Sequence, residues 1–148
     1  MTIQEEIEQD MTIEYLTKNK KNIAYSANAG GAFTLVFLGG FMSDMMGSKA
    51  THLEDWAKNN HYGFLRFDYS GHGQSSGVFE SCNISDWLED TYEIITEKTK
   101  GPIILIGSSM GGWISFLVYP KLYDRVVGIV TIAAAPDFTE DYFWANLS

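Results

Sequence analysis

The stretch that most constrains this chain is Ile103-Ile104-Leu105-Ile106-Gly107-Ser108-Ser109-Met110-Gly111, where an unbroken apolar run meets a helix-forming segment across a turn rich in Gly and Ser. Four successive apolar residues without alternation suit a strand buried on both faces, as in a parallel sheet covered by helices. Similar runs occupy residues 33–38, 64–67 and 126–133, with further strands expected at 23–26 and near 11–16. The segments between them carry helical spacing. Over 48–60, Ala50, Leu53 and Ala57 share a face, with Ser48 as the expected N-cap. After Asn83, the residues Ile84, Trp87, Leu88, Thr91 and Ile95 repeat that spacing. Asn83 supplies a cap, Asp86 suits the positive end of the dipole, and Gly101 and Pro102 close the segment. Residues 110–119 are apolar on nearly every face, which predicts a central helix stopped at Pro120. Strands alternating with helices define the class: α/β, a mostly parallel sheet flanked by helices.

Composition removes several functions. The net charge of -9 argues against a phosphate-backbone partner, so no nucleic acid is expected. No apolar run is long enough for a membrane span. Residues 1–10 are acidic and lack a secretory pattern, which points to a cytoplasmic location. Cys82 is the single cysteine, so no internal disulfide forms, and a lone Cys is more often a small packed apolar side chain than a catalytic thiol. Residues 1–21 read as an acidic arm and the start of the first strand. Residues 22–148 read as part of one α/β domain.

Gly107-Ser108-Ser109-Met110-Gly111 fits Gly-X-Ser-X-Gly, and its strand-turn-helix setting is the one a nucleophile elbow requires. A strand that reverses into a helix within a few residues strains the serine. It also brings backbone so close that side chains at 107 and 111 would collide with it. Ser109 Oγ then stands above a helix N-terminus, where free N–H groups stabilise an oxyanion. Leu38-Gly39-Gly40-Phe41 also follows an apolar strand, and its turn can aim the Phe41 N–H at the oxyanion alongside the N–H of Met110. A third element, Asp68-Tyr69-Ser70-Gly71-His72-Gly73-Gln74-Ser75, lacks both the dinucleotide glycine spacing and a P-loop Lys-Ser or Lys-Thr.

In this order, the three elements resemble the α/β-hydrolase family, over roughly residues 33–137. More narrowly, Phe41-Met42-Ser43-Asp44-Met45, Arg66-Phe67-Asp68-Tyr69-Ser70-Gly71 and Gly107-Ser108-Ser109-Met110-Gly111-Gly112-Trp113 are similar to the mitochondrial acyl-protein thioesterase and acyl-glucuronide esterase group and its bacterial relatives. The resemblance implies hydrolysis of a small-molecule or acyl ester or thioester through an acyl-Ser109 intermediate, with no metal or organic cofactor. It also implies an α/β-hydrolase fold truncated after about the sixth strand, with residues 22–148 ending at the start of a cap region.

A serine needs a base, and in this family the acid and the histidine follow it in the chain. Here His52, His61 and His72 all precede Ser109. The later acids Asp124, Asp137, Glu140 and Asp141 come too early to match the family acid. His72, in a turn at a strand end, reads as a turn residue rather than a base; His52 and His61 read as structural or solvated. Residues 137–140 can cap a further helix bearing Tyr142, Phe143 and Trp144, either a pocket wall or a docking face. Met42, Met45 and Met46 read as core packing before acyl contacts. A sheet ending at residues 126–133 would leave an apolar edge, so the expected protein partner is a complementary C-terminal hydrolase fragment. Two alternatives stand beside the serine hydrolase: a catalytically inactive truncated or split-gene fragment lacking the triad acid and histidine, and a non-catalytic binding domain.

Overall fold

The computed structural model describes residues 11–134. The acidic residues 1–10, and the helix expected from Asp137 with Glu140, Asp141, Tyr142, Phe143 and Trp144, lie outside the described residues. Six strands form one sheet: β1 (Glu14–Lys18), β2 (Lys21–Asn28), β3 (Thr34–Leu38), β4 (Gly63–Phe67), β5 (Ile103–Ser108) and β6 (Val126–Ile132), in the order β1-β2-β4-β3-β5-β6. β1 and β2 form an antiparallel hairpin, and β2 runs antiparallel to β4. The β3-β4, β3-β5 and β5-β6 pairs are parallel. The helices are α1 (Ser48–Asn59), α2 (Ile84–Lys98) and α3 (Met110–Val118).

The missing alternation has the expected cause. Val36, Leu38, Leu65, Phe67, Ile103 and Leu105 point to one side of the sheet, where they pack with Trp87, Ile94 and Ile95 of α2 and Met110, Ile114 and Val118 of α3. Leu35, Phe37, Phe64 and Ile106 point to the other side, against Ala50 and Ala57 of α1. Both faces of the central strands are therefore dry, and apolar residues are needed at every position.

Three local expectations change. The first strand starts at Glu14, because Met11 to Ile13 precede the pairing with β2. Ser48 is the first residue of α1 and does not cap it; Gly47 holds the cap position, with no side-chain bond. α3 is apolar all round but not enclosed all round among the described residues, since Phe116 and Leu117 are exposed on its outer side. The α2 start follows the sequence reading. The Asn83 side chain accepts the Asp86 N–H while the Asp86 carboxylate accepts the Asn83 N–H, a reciprocal capping box.

Candidate active site

β3 and β5 are neighbours, with Leu38 opposite Gly107, but the chain leaves them in opposite directions. After β3 it goes to α1 on one face, and after β5 to α3 on the other. In α/β sheets the crevice at the carboxyl ends of two such strands is where ligands bind. Ser109 and the turn after β3 both stand there.

Ser109 joins β5 to α3 at φ 55 and ψ -117, a conformation costly for a side-chain-bearing residue and stable only when its surroundings fix it. Its N–H donates to the Ile132 carbonyl at 2.9 Å, and its own carbonyl accepts the Gly112 N–H at 2.9 Å. The glycines supply the remaining constraint. A Cβ at Gly107 would run into the Gly111 carbonyl, and one at Gly111 into the carbonyl of Leu38. The elbow is thus pressed against the end of β3 with no room for a methyl group. Met110 follows as the first helical residue, and its N–H has no carbonyl four residues back to bond within the helix. Lys49, on the first turn of α1, brings its ammonium to 3.4 Å from Ser108 Oγ.

Phe41 lies in the turn of residues 40–43. A Cβ on Gly40 would sit 3.6 Å from Ser109 Cβ, so this turn faces the elbow directly. Ser43 closes it, its N–H reaching the Gly40 carbonyl at 3.3 Å and its hydroxyl at 2.7 Å. The structure therefore brings Ser109, Met110 and Phe41 together at one end of the sheet.

The turn is held by side chains from β4 and the loop after it. Tyr69 Oη donates to the Gly39 carbonyl at 2.9 Å, His72 Nε2 accepts the Met42 N–H at 3.2 Å, and Asp68 Oδ1 accepts the Met45 N–H at 2.7 Å. Arg66 donates to the Met45 carbonyl at 3.2 Å. Asp68 also ties its own loop, through Oδ2 to the Gln74 N–H at 2.9 Å. That loop is fixed in turn by α2: Asp90 Oδ2 accepts the Ser70 N–H at 2.7 Å, and Trp87 Nε1 donates to the Ser70 carbonyl at 3.0 Å.

Electrostatics follows burial. Desolvation raises the Asp68 carboxyl above the ordinary aspartate value, although the Gln74 and Met45 N–H groups pull the other way. Burial likewise lowers the Arg66 guanidinium, with Glu54 opposing, and raises the Tyr69 phenol. Arg66 and Glu54 form a buried ion pair, and Asn28 donates to the second Glu54 oxygen at 2.6 Å. Arg66 stands within one of the family-like motifs, but no motif marks it and Glu54 as an ion pair. The available signal was an Arg inside the apolar run of residues 64–67, since a buried guanidinium requires a partner.

The other candidates separate cleanly. His72 is buried, with Nδ1 3.1 Å from the Ser70 carbonyl and Nε2 on Met42, so both ring nitrogens serve the backbone. His52 and His61 are exposed. Asp124 precedes β6 and lies at the amino ends of the parallel strands, opposite Ser109. Burial raises the Cys82 thiol, and its Sγ contacts the Val78 carbonyl at 3.3 Å. Met45 is core, while Met42 is 72% exposed. Phe41, Phe79, Ile84, Trp87 and Trp113 line a largely apolar cleft of about 330 Å³ beside the turn. Among the described residues no cluster of three or more His, Cys, Asp or Glu side chains could hold a metal, and no helix is long and apolar enough to cross a membrane.

Known proteins are similar to this chain in sequence and fold. Residues 33–147 match the Hydrolase_4 family, described as serine aminopeptidase, S33. The mitochondrial palmitoyl-protein thioesterase ABHD10 of Bos taurus is 37% identical over 127 residues, covering 85% of this chain and 42% of the bovine protein. Its Homo sapiens counterpart is 36% identical over 116 residues, covering 78% of this chain and 38% of the human protein. The solved mouse alpha/beta hydrolase domain-containing protein 10 superposes with a TM-score of 0.85 at 32% identity, over 90% of this chain and 54% of that one. The chain thus spans about half the length of these relatives or less. It belongs to the Hydrolase_4 family of α/β-hydrolases.

Proposed function

We propose that this chain carries the nucleophile and oxyanion hole of a serine hydrolase that cleaves an ester or thioester through an acyl-Ser109 intermediate. The observation that carries the reading is the strained Ser109 backbone at φ 55, held between β5 and α3 directly opposite the 40–43 turn. A strained elbow of this kind serves to expose a hydroxyl above a helix N-terminus. Ser109 Oγ attacks the acyl carbon while its proton passes to a base. The resulting oxyanion is met by the N–H groups of Met110 and Phe41, and the alkoxide or thiolate leaves with a proton. Water then attacks the acyl-serine, releasing a carboxylic acid and restoring the hydroxyl.

The names of the mammalian relatives favour a thioester of a long acyl chain. The cleft lined by Phe41, Ile84, Trp87 and Trp113 offers that chain an apolar bed beside the oxyanion turn. Among the described residues no histidine hydrogen-bonds Ser109: both ring nitrogens of His72 are committed to backbone, and His52 and His61 are exposed. The base and its acid are therefore assigned to a later hydrolase segment, on the same polypeptide or on a complementary C-terminal fragment.

A fluorophosphonate probe tests the reading. Rapid labelling of the folded chain that disappears in Ser109→Ala supports it. Absence of labelling, both alone and with a complementary C-terminal hydrolase segment added, overturns it in favour of an inactive or purely binding domain.

A further inference from the structure

Resting on the Ser109 reading, we propose that Ser43 is a positioning residue: its hydroxyl, bonded to the Gly40 carbonyl, sets the direction of the Phe41 N–H. That carbonyl and that N–H belong to one peptide unit. The unit is planar and trans, so its N–H points opposite to its C=O, and whatever holds the carbonyl aims the donor. Ser43 Oγ donates to the Gly40 oxygen at 2.7 Å, the usual length for such a bond, whereas the Ser43 N–H reaches the same oxygen at 3.3 Å, beyond the usual range. The hydroxyl is therefore the stronger of the two holds.

The peptide needs a hold because its two ends differ. At one end the Phe41 ring packs against Phe79 and Trp87, with centroids 5.1 and 6.0 Å away. At the other stand Gly39 and Gly40, which lack the Cβ that narrows backbone freedom elsewhere. Tyr69 fixes the preceding unit through the Gly39 carbonyl at 2.9 Å. The bonds from His72, Asp68 and Arg66 fall on Met42 and Met45, beyond the Gly40–Phe41 unit. Ser43 acts on the unit that carries the donor, at the point where a Cβ on Gly40 would stand 3.6 Å from Ser109 Cβ. A hydroxyl that donates to a carbonyl also polarises the whole amide, which strengthens its N–H as a donor. Ser43 itself is exposed, so removing its hydroxyl disturbs this alignment without opening the core.

The test holds shape constant and removes the hydroxyl. Ser43→Ala is compared with Ser43→Thr, which keeps a hydroxyl, and with Ser43→Val, which has the shape of Thr without one. Fluorophosphonate labelling is followed under the condition that labels the original chain, alone or with a complementary C-terminal hydrolase segment. In the Ala and Val variants the maximal labelling rate should fall about tenfold, less than the loss of a whole oxyanion donor, with the half-saturating probe concentration changed less than about twofold. Ser43→Thr should return the rate to within about threefold of the original. The Phe41 amide nitrogen-15 resonance should move to lower frequency in Ala and Val and return in Thr, because it reads the polarisation of the Gly40–Phe41 amide directly. Equal labelling rates in the original protein and Ser43→Ala overturn the proposal, and so does a Thr variant as slow as Val. If neither condition labels the original protein, the Ser109 reading falls and the part of Ser43 in catalysis with it. A Phe41 resonance unmoved in Ser43→Ala overturns the hold on the peptide by itself, whatever becomes of Ser109.

Discussion

The two turns that face each other across the crevice are stabilised in opposite ways. The elbow is built from its own sequence: β5 and α3 are joined covalently at Ser109, and Gly107 and Gly111 allow backbone to approach backbone. The 40–43 turn has little of its own beyond the Ser43 bonds to Gly40. It is held from outside by Arg66, Asp68, Tyr69 and His72, a run of the chain that begins in β4. Half of the site is thus fixed by steric exclusion and half by directional hydrogen bonds. The first should tolerate almost no added volume, and the second almost no lost polarity.

Substitutions can break this contrast in order of size. Arg66→Met should have the largest effect, because it leaves the buried Glu54 carboxylate without its counter-charge, with only Asn28 still donating to it, and frees the Met45 carbonyl. A loss of about 3–5 kcal/mol in urea unfolding is expected, and adding Glu54→Leu should restore much of it. Gly111→Ala should cost about 3 kcal/mol, since the obstacle is the Leu38 backbone and not a side chain that can move. A melting temperature equal to that of the unsubstituted chain would show that the elbow is not sterically locked. Asp68→Ala leaves the Met45 and Gln74 N–H groups without acceptors and should cost about 2 kcal/mol. Its fluorophosphonate labelling should slow by more than the stability loss explains; parallel losses would mean that the clamp has no bearing on Ser109.

The smallest effect is a pH dependence at the anchor of the clamp. Burial raises the Asp90 carboxyl above its ordinary value, despite the Ser70 N–H and Lys21. The folded state therefore binds the proton more tightly than the unfolded chain. The contribution of Asp90 to stability is full below the unfolded value of about 3.9 and is lost as pH rises through the raised folded value. The stability of the unsubstituted chain relative to Asp90→Asn should accordingly decline as pH rises above about 4. Denaturation midpoints for the two proteins that stay a constant distance apart would contradict this.

The same contrast explains what could be read from the sequence. The elbow and the Asn83 capping box are local, so residues three or four apart disclose them. The clamp joins residues about thirty apart, such as Tyr69 with Gly39 and His72 with Met42, and no spacing announces those bonds. Glu54 falls four residues after Ala50 and three before Ala57, on the buried face of α1, but helical period does not disclose Arg66, the partner in β4 that makes a charge tolerable there. Ser48 failed as a cap for a related reason: Ser at a helix start is a preference, and here the chain enters α1 one residue earlier at Gly47.

Met42 combines two properties that rarely coincide: its backbone N–H is tied to a buried ring, while its side chain is 72% exposed at the mouth of the crevice. A position whose main chain is fixed and whose side chain is unconstrained can change identity at little structural expense. Asn or Gly there would even suit the positive φ better than Met does. Residue 42 is therefore where drift or a directed library could reshape the mouth of the crevice while leaving the elbow beneath it as it is.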